Sequence, residues 1–254
     1  MTLKFLGTGT SQGVPVIGCT CNVCTSGDSR DRRFRSSALV TTDNGHKILI
    51  DCGPDFRMQM LENNERQIDA VLLTHEHNDH VIGLDDLRPL IFKNKSDMPI
   101  YCAERVGDEL RTRFSYGFAD EKYPGAPSFE LHQISAEFML FDAAITPVEV
   151  LHHRLPVFGF KFKNSAYITD ASFISENEKE KLMGLDYLIL NCIRKEHPHP
   201  AHFILPDVLA LYEELKPKML YLTHISHHFG LHQDAYDELP EGVALAYDGL
   251  EIVF

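Results

Sequence analysis

Val71-Leu72-Leu73-Thr74-His75-Glu76-His77-Asn78-Asp79-His80 runs from a short apolar stretch straight into four candidate metal ligands within six residues. The apolar part has the length and composition of a buried strand. Residues placed where a strand ends and its loop begins are held rigidly enough to fix ligand geometry. A single histidine here would read as a helix cap or as part of a solvated loop. His75, His77, Asp79 and His80 together read as a wrapper around more than one cation, because imidazole nitrogen and carboxylate oxygen are the donors divalent metals take. The same placement recurs in Ile48-Leu49-Ile50-Asp51, Tyr167-Ile168-Thr169-Asp170 and Leu220-Tyr221-Leu222-Thr223-His224. Sequence-distant His153, Asp170 and His224 supply the further ligands that a two-metal site needs.

Working outward, short β-branched runs bounded by Gly, Pro, Asn or Asp predict strands over Thr2–Gly7, Ala38–Thr42, Lys47–Asp51, Ala70–Thr74, Pro99–Cys102, Phe158–Phe162, Ala166–Thr169, Tyr187–Leu190, Met219–Thr223 and Val243–Phe254. Helical spacing marks Val81–Phe92, Glu176–Met183 and Leu205–Leu215, the last with Leu205, Val208, Leu209, Tyr212 and Leu215 on one face. No repeat and no Ser/Gly linker divides the chain. Many strands with fewer helices predict two packed sheets covered by helices, in one α/β (α+β) domain over residues 1–254.

With 24 basic against 37 acidic residues the 254-residue chain carries a net charge of −13. That balance disfavours a protein that grips nucleic acid through its phosphates, while bound cations would still permit phosphate chemistry on a small substrate. No run has the roughly 20 apolar residues of a membrane span, and the first residues lack the apolar core of a signal peptide. Of six cysteines, Cys19, Cys21 and Cys24 crowd into Gly18-Cys19-Thr20-Cys21-Asn22-Val23-Cys24, and the others are scattered. This is not a secreted disulfide framework, so a reducing cytoplasm is expected. Three thiolates at Cys-x-Cys-x-x-Cys spacing suit a structural Zn, the competing reading being a redox dithiol with a spare thiol. His227, in His224-Ile225-Ser226-His227-His228, can complete a Cys3His shell while His224 stays with the candidate two-metal ligands.

The chain resembles the metallo-β-lactamase-fold hydrolases. The likeness rests on Asp51 at a strand end, the His-x-His-x-Asp-His loop at 75–80, then a lone His, a lone Asp and a final His, and it spans nearly the whole chain. It implies a four-layer αββα sandwich with two divalent metals, Zn, Mn or Fe, at one edge of the sheets. Carried over, His75, His77 and His153 bind the first metal, and Asp79, His80 and His224 the second. Asp170 bridges them, and Asp51 orients the ligand loop. His153 is preferred over its neighbour His152 from its distance to Phe158-Gly159-Phe160 in related sequences.

Within that family the matching stretches narrow the likeness. They are Gly7–Pro15, Gly18–Cys24, Leu72–His80, Thr169-Asp170, Leu222–Phe229 and Asp248-Gly249. They resemble the branch that opens small cyclic phosphodiesters such as 5-phosphoribosyl 1,2-cyclic phosphate, with a metal-bridging hydroxide as nucleophile. His202 matches a histidine used near the leaving group, as general acid or phosphate contact. Asn191-Cys192-Ile193-Arg194-Lys195-Glu196 departs from the branch pattern and leaves the substrate open. The Arg30, Arg32, Arg33 and Arg35 stretch offers either a grip for a distal phosphate or a solvated loop. Expected partners are thus a small phosphorylated substrate and a homodimer mate, with no nucleic acid and no membrane. Rival readings are a nuclease or thioesterase of the same fold, and a non-catalytic metal-binding accessory protein of a cofactor pathway.

Overall fold

The computed structural model describes residues 1–254. The chain runs β1 (Thr2–Gly7), β2 (Ser37–Thr41), β3 (Lys47–Ile50), α1 (Phe56–Glu62), β4 (Ala70–Leu72), α2 (Asn78–Val81), a 3-10 turn (Ile82–Leu87), α3 (Arg88–Asn94), β5 (Met98–Cys102), α4 (Glu104–Arg113), α5 (Ser115–Phe118), β6 (Phe129–Gln133), β7 (Phe138–Leu140), β8 (Ala143–His152), β9 (Leu155–Phe162), β10 (Ser165–Ile168), β11 (Phe173–Ile174), α6 (Glu176–Glu180), β12 (Tyr187–Asn191), α7 (Leu205–Leu215), β13 (Met219–Thr223), α8 (His232–Glu238), β14 (Val243–Leu245) and β15 (Glu251–Val253). Two sheets form, ordered β15-β1-β2-β3-β4-β5-β6 and β11-β8-β9-β10-β12-β13-β14, with β7 pairing β8.

Three apolar clusters define the layers. Phe5, Ile48, Ile50, Leu72, Phe160, Phe162, Tyr167 and Ile189 pack between the sheets. Leu49, Val71, Leu84, Leu87, Val106 and Leu110 bury the outer face of the first sheet under α1, the 3-10 turn, α3 and α4. Leu188, Leu190, Val208, Leu211, Leu215 and Leu222 do the same for the second sheet under α7. The αββα sandwich is therefore the observed fold. Strands buried on both faces need an unbroken apolar run, which is why β3, β4, β10, β12 and β13 read so plainly in the sequence.

Strand direction places the functional residues. β3 runs parallel to β4, and β10, β12 and β13 run parallel to one another. β8 is antiparallel to β9 and β9 to β10, so β8 points the same way as β10. The C-terminal ends of these strands face one edge, and Asp51, His75, His152, Asp170 and His224 lie there. Asp51, Asp170 and His224 turn off their strands with φ of +60°, +57° and +55°. L residues hold that conformation only where the surroundings enforce it, and such positions cluster at functional sites.

Three expectations change. Val81–Phe92 is not one helix but the end of α2, the 3-10 turn and most of α3. Val243–Phe254 is not one strand: β14 pairs β13 in one sheet and β15 pairs β1 in the other. Between them Gly249 takes φ +90°, and Asp248 accepts hydrogen bonds from Thr8 Oγ1 and Phe34 N, both 2.6 Å, which turns the chain from sheet to sheet. The ten-residue β8 gives no plain strand signal in the sequence because Pro147 interrupts its pattern. Pro147 falls between the segments paired by β7 and β11, so its missing N–H breaks no ladder on that side.

Candidate metal centre

The loop after β4 delivers its ligands by a short cascade of hydrogen bonds. Buried Asp51 accepts from Thr74 N at 2.9 Å and from Thr74 Oγ1, and it holds His80 Nδ1 at 2.7 Å. With Nδ1–H donated to Asp51, His80 presents Nε2 forward. That atom is buried and has no hydrogen-bond partner, 3.2 Å from Asp79 Oδ2 and 3.3 Å from Asp170 Oδ2. Burial opposes a charge on His80, but the carboxylates of Asp51, Asp170 and Asp79 outweigh it and raise its pKa well above the usual histidine range. A cation is the natural replacement for that proton.

The second group of donors adjoins the first. His75 Nε2 and His77 Nδ1 approach to 3.0 Å, and the His152 ring centroid lies 5.6 Å and 5.2 Å from theirs. His152 donates Nδ1–H to Ala201 O at 2.8 Å, which leaves Nε2 for the site, 4.0 Å from Asp170 Oδ1. Ligand atoms of His75, His77 and His152 lie within 4.8 Å of one another, as do those of His75, His80 and Asp170. Asp170 thus turns Oδ2 to His80 and His224, each at 3.3 Å, and Oδ1 toward His152 and His202. Burial raises the Asp170 pKa, but His224 and His80 outweigh that and hold it well below the carboxylate range. Ser36 Oγ, which donates to Gly9 O, sits 3.0 Å from His224 Nδ1, a support the sequence did not announce.

His153 is a correction. β8 ends at His152, and His153-Arg154 form the two-residue turn to β9 across the His152–Leu155 pair. His153 takes φ +58° there and is exposed, with its backbone N–H on Ser172 Oγ. Successive side chains point to opposite sides, so only the strand residue faces the donor cluster.

His202 lies between His152 and His224, with ring centroids 4.7 Å and 4.8 Å away. Its buried Nδ1 has no hydrogen-bond partner and lies 3.8 Å from Asp170 Oδ1. Burial, reinforced by His224, pushes its pKa down to about 2, so the ring is neutral.

The Arg30–Arg35 stretch divides between structural roles. Arg30 pairs with Asp28, buried Arg33 donates to Thr8 Oγ1 and Ala246 O, and Arg35 pairs with Asp55. Arg32 remains exposed. Apart from the edge that carries these histidines, Cys19, Cys21 and Cys24 place their sulfurs 3.3, 3.5 and 3.4 Å from His227 Nδ1. A tetrahedral zinc with ordinary bond lengths sets sulfur–nitrogen edges of about 3.5 Å, so the four atoms fit one ion. None of the three is in a disulfide. The Cys24 backbone N–H pulls the Cys21 pKa down to about 6, toward the thiolate a metal requires.

The family described as "Beta-lactamase superfamily domain" matches residues 46–225, and the chain belongs to it. Over its whole length it is 42% identical, at a TM-score of 0.92, to 97% of a solved chain described as a new diphosphatase from the PhnP family. An octanoyltransferase of Porphyromonas gingivalis is 40% identical over 255 residues, covering 100% of this chain and 51% of that protein. A ribonuclease Z of Microcystis aeruginosa is 30% identical over 166 residues, 63% of this chain and 46% of the relative. The chain therefore spans about half the length of these two curated relatives. The zinc-bound PqqB of Methylobacterium extorquens, 20% identical with full coverage of both chains and a TM-score of 0.79, shares the fold.

Proposed function

We propose that this chain is a di-metal phosphodiesterase acting on a small cyclic phosphodiester. The observation that carries the reading is Asp170, whose two oxygens face two different donor groups. His75, His77 and His152 would hold one divalent cation, Asp79, His80 and His224 the other, and Asp170 both. Two cations so placed supply Lewis-acid activation of water and of the phosphoryl oxygens. The chain's own residues do the rest. Asp51 fixes the His80 tautomer, and His152 is oriented by Ala201 O. His202, neutral and aimed at the shared carboxylate, serves as a polar contact for phosphoryl or leaving-group oxygen rather than as a charged acid. Cys19, Cys21, Cys24 and His227 would hold a closed structural zinc with no position for water. The nitrogen-and-oxygen donor set at the catalytic edge admits Zn, Mn or Fe.

The diphosphatase relative supports a second reading, a phosphoanhydride in place of the cyclic diester, because both present a phosphoryl centre to the same clamp. The octanoyltransferase name belongs to a protein of twice this length and does not by itself assign acyl chemistry to the matched half. Metal-loaded protein should turn over bis(p-nitrophenyl) phosphate well above its rate on p-nitrophenyl acetate. Acetate cleavage alone would overturn the phosphoryl reading, and loss of neither metal nor rate in Asp170→Ala would overturn the bridge.

A further inference from the structure

A polar groove leads away from the metal centre. The cavity of about 360 Å³ beside it is lined by Thr10, Ser11, Gln12, His199, His202 and Arg194 among others, and by no carboxylate. It shares Arg194 and His228 with an adjoining cavity of about 450 Å³. In a chain of net charge −13, the absence of a carboxylate from the lining of the cavity beside the centre favours an anionic ligand there, while Glu196 lines only the adjoining cavity. Arg30, Arg33 and Arg35 are tied down elsewhere and Arg32 does not line this cavity, so Arg194 is the permanent positive charge in the cavity next to the centre. It occupies the segment where the sequence departs from its branch.

We infer that Arg194, assisted by His199 and His228, is a specificity-determining residue that reads a second phosphoryl group of the substrate, beyond the one held at the metals. This rests on the phosphoryl-hydrolase reading above. Hydrogen bonds hold the site in place. Arg194 O accepts from Leu205 N at 3.0 Å, while Ile193 is tied to Phe203 O and to Ser226. The guanidinium donates Nε to His197 O at 2.7 Å and Nη2 to Pro198 O at 3.0 Å, which curls the 195–198 loop around it. Nη1 is left for a ligand. His199 Nδ1 accepts from Ala201 N at 3.2 Å, so its proton sits on Nε2 as a second donor, and its ring lies 4.8 Å from that of His202. Neighbouring Lys195 is engaged by Glu238 and lies over the Phe229 ring, so it does not compete for the ligand. A planar guanidinium with a free N–H edge beside the His199 Nε2–H donor matches a phosphate dianion better than a neutral or cationic group.

The test uses non-hydrolysable probes on the metal-loaded protein, with metal content verified after each titration. Calorimetry would compare propylphosphonate with propane-1,3-diyl bisphosphonate and with methylenediphosphonate. Wild type should bind at least one bisphosphonate about tenfold more tightly than the monophosphonate, the increment expected of one charge-assisted contact. Preference for the short spacer identifies an adjoining phosphoryl group, as in a phosphoanhydride, and preference for the long one a phosphate carried elsewhere on the substrate. Arg194→Gln should collapse that ratio toward one. His228→Gln, which leaves the 195–198 loop tied, should lower it in the same direction. A ratio near one in wild type, or a full ratio kept by both variants, overturns the inference. Failure of the phosphoryl reading is separate: wild type would then not cleave bis(p-nitrophenyl) phosphate at all, whatever the probe ratio.

Discussion

Which of two adjacent histidines faces the donor cluster is decided by one peptide unit. His152 completes a strand and lends Nε2 to the centre, whereas His153 begins a turn. His152→Ala should therefore lose metal affinity and turnover by about a hundredfold or more, the scale already seen when a supporting contact is removed. His153→Ala should retain both within about twofold, and metal analysis of the two purified variants checks it. Asp51 touches no proposed metal position, yet it sets the His80 tautomer. Asp51→Asn should weaken metal binding by about 10–100-fold while the fold stays intact, measurable by competition with a chelator. A variant with wild-type affinity would show that Thr74 alone orients the loop.

Among elements, the loop from Gly18 to Cys24 has almost no regular structure and leans on four side chains. Its sulfurs converge on His227, in the segment just after His224, so an ion there would brace a catalytic ligand from behind. Cys21→Ser should release that ion and lower the melting temperature before it alters the chemistry of the remaining folded protein. Equal zinc content in mutant and wild type would contradict the assignment. The α8 region carries a pH dependence of its own. His232, buried at the start of that helix, faces Arg33 Nη2 at 3.2 Å, and burial with that guanidinium pushes its pKa down to about 4. Free histidine protonates near 6.5, so between these values the unfolded chain binds more protons and stability falls as pH drops from about 6.5 to about 4. His232→Gln removes this component, and its melting temperature should change less than that of wild type between pH 7 and pH 5.

At the scale of the whole molecule, the metal edge is where two sheets meet, each contributing ligands. Asp51 and the 75–80 loop follow the first sheet, and His152, Asp170 and His224 end strands of the second. Cations bound there would stabilise the native state by mass action, about 2.7 kcal/mol at a free concentration of one hundred dissociation constants. Chelation should lower the melting temperature, and graded return of the metal should restore it in a concentration-dependent way. A melting temperature indifferent to metal would mean the two sheets hold the site without it.

The sequence by itself determined most of the candidate donor residues and most of the core strands. His75–His80, Asp170 and His224 stand beside apolar runs that can exist only as buried strands, and side-chain type together with strand length is local information. The Cys19-Cys21-Cys24 spacing was legible for the same reason. What only the tertiary structure decided depends on which way chains point and which partners they meet. The break of Val243–Phe254 into strands of two different sheets, the recruitment of His152 over His153, the tethering of Arg30, Arg33 and Arg35, and the freedom of Arg194 Nη1 are all of this kind. Each is settled by contacts between residues far apart in the chain, and a local pattern carries no record of a partner brought into place by the packing of two sheets.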